Sequence, residues 1–245
     1  MGYMLRKWPP GRNTGLIKTL KVLNNLLRAH TAAFQAIHQT CQAKQKRPLV
    51  GLTKYVRIFQ AQRKNLSNQA AAGIKDYLFN HYILDRIRGA LDFIGLDYYT
   101  RELTRFNILK PGQFLRKNKF NQAKHVSDLG WEIYPKGIYL SLLKLKKYRL
   151  PIIITENGLA DKKDTRRSQF IVDHLTWVYQ AIGQGVDVRG YLHWSLLDNF
   201  EWAEGFQPCF GLVEVDYASQ KRHIRNSAYT FARICKSNQI NLLDY

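Results

Sequence analysis

Pro151-Ile152-Ile153-Ile154-Thr155-Glu156-Asn157-Gly158 is a short apolar run that stops on an acid and a turn-forming Asn-Gly. Isoleucines in succession favour extended backbone, and Asn-Gly ends it. A run apolar at every position, not at alternate ones, fits a strand buried on both faces, as in a parallel sheet. Three other runs read the same way: Leu49 to about Phe59, Leu91 to Leu96 ending at Asp97-Tyr98-Tyr99, and Val188 to Leu192 ending near His193-Trp194-Ser195. Helical stretches separate them at Gln69 to Arg88, Pro135 to Tyr148 and Gln169 to Gly183, with a last one near Asn226 to Lys236. Strand alternating with helix predicts a parallel sheet covered by helices.

Upstream, Trp8-Pro9-Pro10-Gly11 reads as a loop, and Asn13 or Thr14 can cap a helix that starts there. Leu16, Leu20, Leu23, Leu27, His30, Phe34 and Ile37 recur at three- and four-residue steps, which predicts one face of a long amphipathic helix. His30 on that face reads as a hydrogen-bonded histidine, not a ligand. There is no internal repeat and no linker, so residues 1–245 read as a single domain.

The chain has 245 residues, about the length of a whole (β/α)8 barrel, yet four strands are counted. At 45% hydrophobic and 13% aromatic it is no disordered chain. No apolar run is long enough to span a bilayer, and Met1 to Gly11 has no secretory apolar core. Cys41, Cys209 and Cys235 are odd in number and lack metal-ligand spacing, which points to a reducing, cytoplasmic setting without a metal. The net charge of +20 raises nucleic acid as a partner, but its runs are scattered and joined to no nucleic-acid signature. They read as solvated surface.

In a parallel barrel the C-terminal strand ends open on one face. Asp97-Tyr98-Tyr99, Glu156-Asn157 and Trp194 with Asp198-Asn199-Phe200-Glu201-Trp202 therefore converge. Aromatic planes beside carboxylates and amides suit a sugar, whose apolar face stacks while its hydroxyls take directed hydrogen bonds. The local pattern alone leaves Glu156 open as a carboxylate that caps the next helix, and Trp194 and Trp202 as ordinary core.

The segment IIITENGLAD (152–161) resembles the nucleophile motif of glycoside hydrolase family 1, and GYLHWSLLDNFEWAEGF (190–206) resembles that family's sugar-binding signature. DFIGLDYYT (92–100), DLGWEIYPKGIY (128–139), GYMLRKWPPG (2–11) and LNNLLRAH (23–30) match in the family's order. The resemblance implies the C-terminal half, (βα)5 to (βα)8, of a TIM barrel. It implies a retaining β-glycosidase acting on a β-glycoside, with no cofactor. Glu156 takes the place of the carboxylate that attacks the anomeric carbon. Tyr99 takes that of the tyrosine bonded to it. Glu201 and Trp202 match the pair on the distal hydroxyls of the −1 sugar, Trp194 the platform beneath it and Phe210 an aromatic wall. Asn157 and Trp131 match motif positions with a structural role expected. Asp97, in the sugar-contacting set, stands where the family usually has Asn, and Cys209 where it usually has a basic residue.

The family's acid/base lies in an Asn-Glu-Pro motif on the fourth strand, shortly before the segment that opens this chain at Met1-Gly2-Tyr3. The expectation is thus a truncated or split β-glycosidase, weakly active alone, its open edges completed by self-association or by a separate N-terminal half. The alternative is a catalytically silent sugar-binding protein. Sugar binding without a covalent adduct on Glu156 would favour that alternative, and tight salt-sensitive nucleic-acid binding would favour a third, basic-protein reading.

Overall fold

The computed structural model of the protein describes residues 2, 3, 6, 8–106 and 125–240. The basic run Arg116 to Lys119, and part of the opening motif, lie outside them.

The chain runs α1 (Gly15–Gln42), β1 (Gly51–Ala61), α2 (Leu66–Asp76), a π-helical turn (Tyr77–His81) and α3 (Tyr82–Arg86). It continues with β2 (Phe93–Thr104), α4 (Lys136–Leu145), β3 (Ile152–Asn157), α5 (Arg167–Gly183) and β4 (Val188–His193). The short strands β5 (Val213–Val215) and β6 (Arg222–Ile224) and the helix α6 (Asn226–Ser237) close it. Strands β1 to β4 form one parallel sheet in sequence order, so each expected strand is present. The antiparallel β5–β6 hairpin was not foreseen. Its strands have three residues each and no buried side chain, so no apolar pattern announces them.

The core lies between one sheet face and the helices. Val56, Ile58, Ile94, Leu96, Tyr98, Ile152 and Ile154 bury against Ile138, Leu142, Leu145, Val178 and Ala181. Each such side chain contributes about 2 kcal/mol when removed from water. The other face is half open. Thr53 is exposed and Ile153 half-buried, and Leu192 on β4 stays 57% exposed, with Leu196 just beyond it at 68%. Among the described residues β1 and β4 each pair with one strand only.

Three boundaries depart from the sequence reading. Thr14 stands at the start of α1, but its side chain makes no cap and donates instead to the Tyr3 carbonyl (3.3 Å). β2 runs on to Thr104 because Arg101 and Glu102 are satisfied by Glu132 and by Arg57 and Lys75. The expected helix from Gln69 to Arg88 is broken at Tyr77. There Asn80 donates to Asp76 (2.7 Å) and to the Arg57 carbonyl (2.7 Å) while accepting from the Arg57 amide (3.1 Å), and it holds a wide turn. On α1, Leu23 and Leu27 meet the core while Leu16 and Leu20 are exposed. His30 Nε2 sits 2.8 Å from the Ala90 carbonyl, the hydrogen bond expected of it.

Two histidines, His174 fully buried and His193 half-buried with its ring nitrogens out of solvent, make the fold acid-sensitive. His174 donates from Nδ1 to the Phe170 carbonyl (2.7 Å), but its Nε2 and both ring nitrogens of His193 have no partner among the described residues. Burial pushes both to about 3, helped at His193 by the Arg167 charge. A depressed base stabilises the fold above its unfolded value of ~6.5 and loses that contribution as pH falls toward the folded value. Acidification to pH 5 therefore costs about 2 kcal/mol per histidine. His193→Phe is expected to flatten the fall of melting temperature between pH 7 and pH 5, and an unchanged slope would contradict this.

Candidate active site

The sheet register brings Asp97, Glu156 and Asn157 into one row, flanked by Tyr55 and His193. Tyr55 pairs with Asp97 across β1–β2, Asp97 with Glu156 across β2–β3, and Asn157 with His193 across β3–β4. The ladder shifts register at Leu96/Asp97 and again between Ile154 and Asn157. Such irregularities re-aim side chains, here midway along β2 and at the end of β3. Gly158 lets the next turn through, since a Cβ there would collide with the Trp194 carbonyl. The Trp194 amide can then donate to the Asn157 carbonyl (2.9 Å).

Glu156 accepts a hydrogen bond from the Tyr99 hydroxyl at 2.9 Å. Burial raises its pKa to about 6, the Asp97 charge adds to the rise, the Tyr99 bond opposes it, and Glu201 adds a little more. At pH 7 the group is still mostly a carboxylate, able to act as a base or nucleophile. Burial beside the Glu156 charge pushes the Tyr99 phenol far up, so Tyr99 remains a donor. Its ring is held edge-on by Trp131 (5.6 Å), Phe210 (6.1 Å) and Tyr55 (5.9 Å).

Trp194 donates from Nε1 to Glu201 (3.3 Å), which joins the two side chains across the loop. Glu201 is raised by burial, with the Trp194 bond opposing. The loop carrying them is pinned from below. Arg225 donates to both carboxylate oxygens of Asp198 (3.0 and 2.9 Å) and to the Gly211 carbonyl (2.7 Å), while Asp198 accepts the Gly211 amide (2.8 Å).

Not every expected residue joins the group. Trp202 is 60% exposed, has a left-handed backbone (φ 52°), and its ring neighbour is Trp8 at 6.2 Å. Phe210 is only 2% exposed and backs Tyr99 and Trp131, so it supports the wall more than it presents one. Asn157 is a buried cross-tie, donating to the Tyr98 carbonyl (2.7 Å) and accepting from Tyr191 (2.8 Å), the structural role expected. Asp97 turns to the neighbouring strand, where Thr155 donates to it (2.7 Å). Sequence reasoning missed Thr155, Lys54 and Tyr55. The one signal was a lysine and an arginine flanking an aromatic inside an otherwise strand-like run. No cluster of metal-ligating side chains occurs among the described residues.

A family model, Glycosyl hydrolase family 1, matches residues 55–240. The chain belongs to glycosyl hydrolase family 1. Among family 1 relatives, a β-galactosidase from Sulfolobus acidocaldarius is 41% identical over 64% of this chain and 34% of its own length. β-Glucosidase A of Thermotoga maritima is 31% identical over 97% of this chain and 60% of its own. The chloroplastic galactolipid galactosyltransferase SFR2 of Arabidopsis thaliana is 34% identical over 99% of this chain and 39% of its own. The solved β-glycosidase from Pyrococcus horikoshii superposes with a TM-score of 0.90 at 38% identity, covering 98% of this chain and 59% of that one. These family 1 structures are TIM barrels, and the four parallel strands with their helices are a part of that barrel. The chain spans between about a third and three fifths of the relatives it matches. No helix among the described residues is long and apolar enough to cross a membrane.

Proposed function

We propose that this chain forms the nucleophile side of a retaining β-glycosidase, with Glu156 attacking the anomeric carbon of a β-glycoside. The observation that carries the reading is the Tyr99–Glu156 hydrogen bond inside an aromatic enclosure that Trp131 and Phe210 complete. The bond fixes one carboxylate oxygen and leaves the other for attack. Trp194 and Glu201 bind the −1 sugar, with Trp202 and Asp97 at its margins.

Retention needs a second carboxyl about 5–5.5 Å away, which protonates the leaving oxygen and later activates water. That group is supplied by a separate N-terminal half-barrel pairing with β1 and β4; a second copy of this chain would close those edges but brings no such carboxyl. The exposed Leu192 and Leu196 beside β4, and Leu16 and Leu20 on α1, support such a completion. Without it, turnover is lower by about the 10²–10⁴-fold that acid–base help provides. Similarity to the galactosyltransferase along 99% of the chain favours a second outcome at the same intermediate, capture by a sugar hydroxyl in place of water.

The test is product stereochemistry by proton NMR with an aryl β-glycoside, alongside light scattering of the same sample. β-Configured product from an assembled species is expected. First-formed α product would overturn the retaining mechanism, and an active monomer would overturn the completion. Sugar binding with no turnover and no covalent adduct would instead mark a silent binding protein.

A further inference from the structure

We infer that Asp97 is a positioning residue for Glu156, a second carboxylate held on the adjacent strand that sets the nucleophile's ionisation. For its catalytic consequence, though not for the titration itself, the inference rests on Glu156 being that nucleophile.

Asp97 and Glu156 are paired Cα partners across β2 and β3, at the register shift that follows Leu96. Asp97 is 8% exposed and fixed by the Thr155 hydroxyl at 2.7 Å, so its charge cannot swing away to solvent. From β1, Lys54 is the cation that faces it. Lys54 is itself buried, donates to the Tyr55 carbonyl, lies 4.3 Å from the Phe79 ring centre and feels Arg57 beside it. Burial and the Arg57 charge lower Lys54 to about 8. Glu156 is faced by Asp97 and Tyr99 from β2 and by Glu201 from the loop after β4. The site is thus a line of charges, Lys54, Asp97, Glu156 and Glu201, in which Asp97 is the neighbour of Glu156 whose charge raises it most.

Two close carboxylates resist ionising together, and they titrate as a pair. An amide in place of Asp97 would leave Glu156 anionic to lower pH. The carboxylate therefore narrows the working range to neutral and alkaline conditions, where Glu156 is charged despite the repulsion. Lys54 favours the charged form of Asp97 and so keeps that device active.

The experiment compares the wild-type protein with Asp97→Asn and Asp97→Glu. It follows the Glu156 carboxyl by carbon-13 NMR, assigned through Glu156→Gln, and the pH profile of labelling by a 2-deoxy-2-fluoro glycoside. Asparagine keeps an oxygen to accept from Thr155, so the local hydrogen bond survives. In Asp97→Asn the midpoint should fall from about 6 toward the ordinary carboxylate range. Labelling at pH 5 should then be roughly fivefold faster. Asp97→Glu should restore the wild-type midpoint. An unmoved midpoint in Asp97→Asn, or a glutamate variant that behaves like the asparagine, would overturn the inference. A moved midpoint with no labelling in any variant would sustain the electrostatic claim and sink the nucleophile reading. Should Asp97→Asn not fold, Thr155→Val serves: the Asp97 midpoint should rise when its donor is lost, and a constant midpoint would count against the anchoring.

Discussion

Glu156→Gln should lower glycoside turnover in the complete assembly by about 10⁴-fold or more. The amide keeps the shape and can still meet the Tyr99 hydroxyl, but it offers no anionic lone pair to the anomeric carbon. Sugar binding through Trp194 and Glu201 should survive, because neither depends on the charge at 156. The same variant should be more stable than the wild type at neutral pH. The Glu156 carboxyl is raised to about 6 by burial first and Asp97 second. A raised acid contributes stability below its unfolded value, and that contribution is lost as pH climbs through the folded value. After allowance for solvent at this half-buried group, the gain on removing the charge is on the order of 1 kcal/mol at pH 7. Steady-state kinetics and thermal melts at pH 5 and pH 7 measure both effects. A stability gain that appears equally at both pH values would contradict the electrostatic origin.

Asp198→Ala should cost about 3 kcal/mol of stability, since it removes the bidentate partner of the buried Arg225 and leaves only the longer 3.7 Å contact to the half-exposed Glu214. Both side chains are 5% exposed, and the pair is bidentate. Asp198 also receives the Gly211 amide, so its loss unties the loop carrying Trp194 and Glu201 from the hairpin β5–β6 and from the start of α6. Chemical denaturation should show the loss of stability, and isothermal titration with a simple sugar should show weakened binding. Replacing both members with apolar residues of similar size should recover much of the stability. It should not recover sugar binding, because the loop is no longer aimed. A change under ~1 kcal/mol in Asp198→Ala would mean the pair is a bystander.

The strands were legible where they carry an apolar run, as in Ile152 to Ile154, although only the face of Ile152 and Ile154 is fully buried. They were less so where charge is buried but satisfied. Arg101 and Glu102 look like the start of a loop, yet β2 passes through them because Glu132, Arg57 and Lys75 sit across from them. The break at Tyr77 was hidden for a similar reason, as Asn80 bonds to a strand more than twenty residues upstream. Thr14 had the right chemistry for a cap, but the Tyr3 carbonyl won its hydroxyl. At the site, the motifs around Glu156 and Trp194 carried the reading through resemblance, and the 2.9 Å contact between Tyr99 and Glu156 agrees with it. Thr155 had no signal, and the charges flanking Tyr55 were only a hint, because their meaning lies in cross-strand register, which no linear spacing encodes.

The most direct test of the account is peptide mapping by mass spectrometry after incubation with a 2-deoxy-2-fluoro β-glycoside bearing a good leaving group. The fluorine slows both steps and the activated leaving group restores the first, so a covalent intermediate accumulates. One fluoroglycosyl group on the peptide containing Glu156, absent in Glu156→Gln, is the predicted result. A label on any other residue, or full turnover with none, would contradict it.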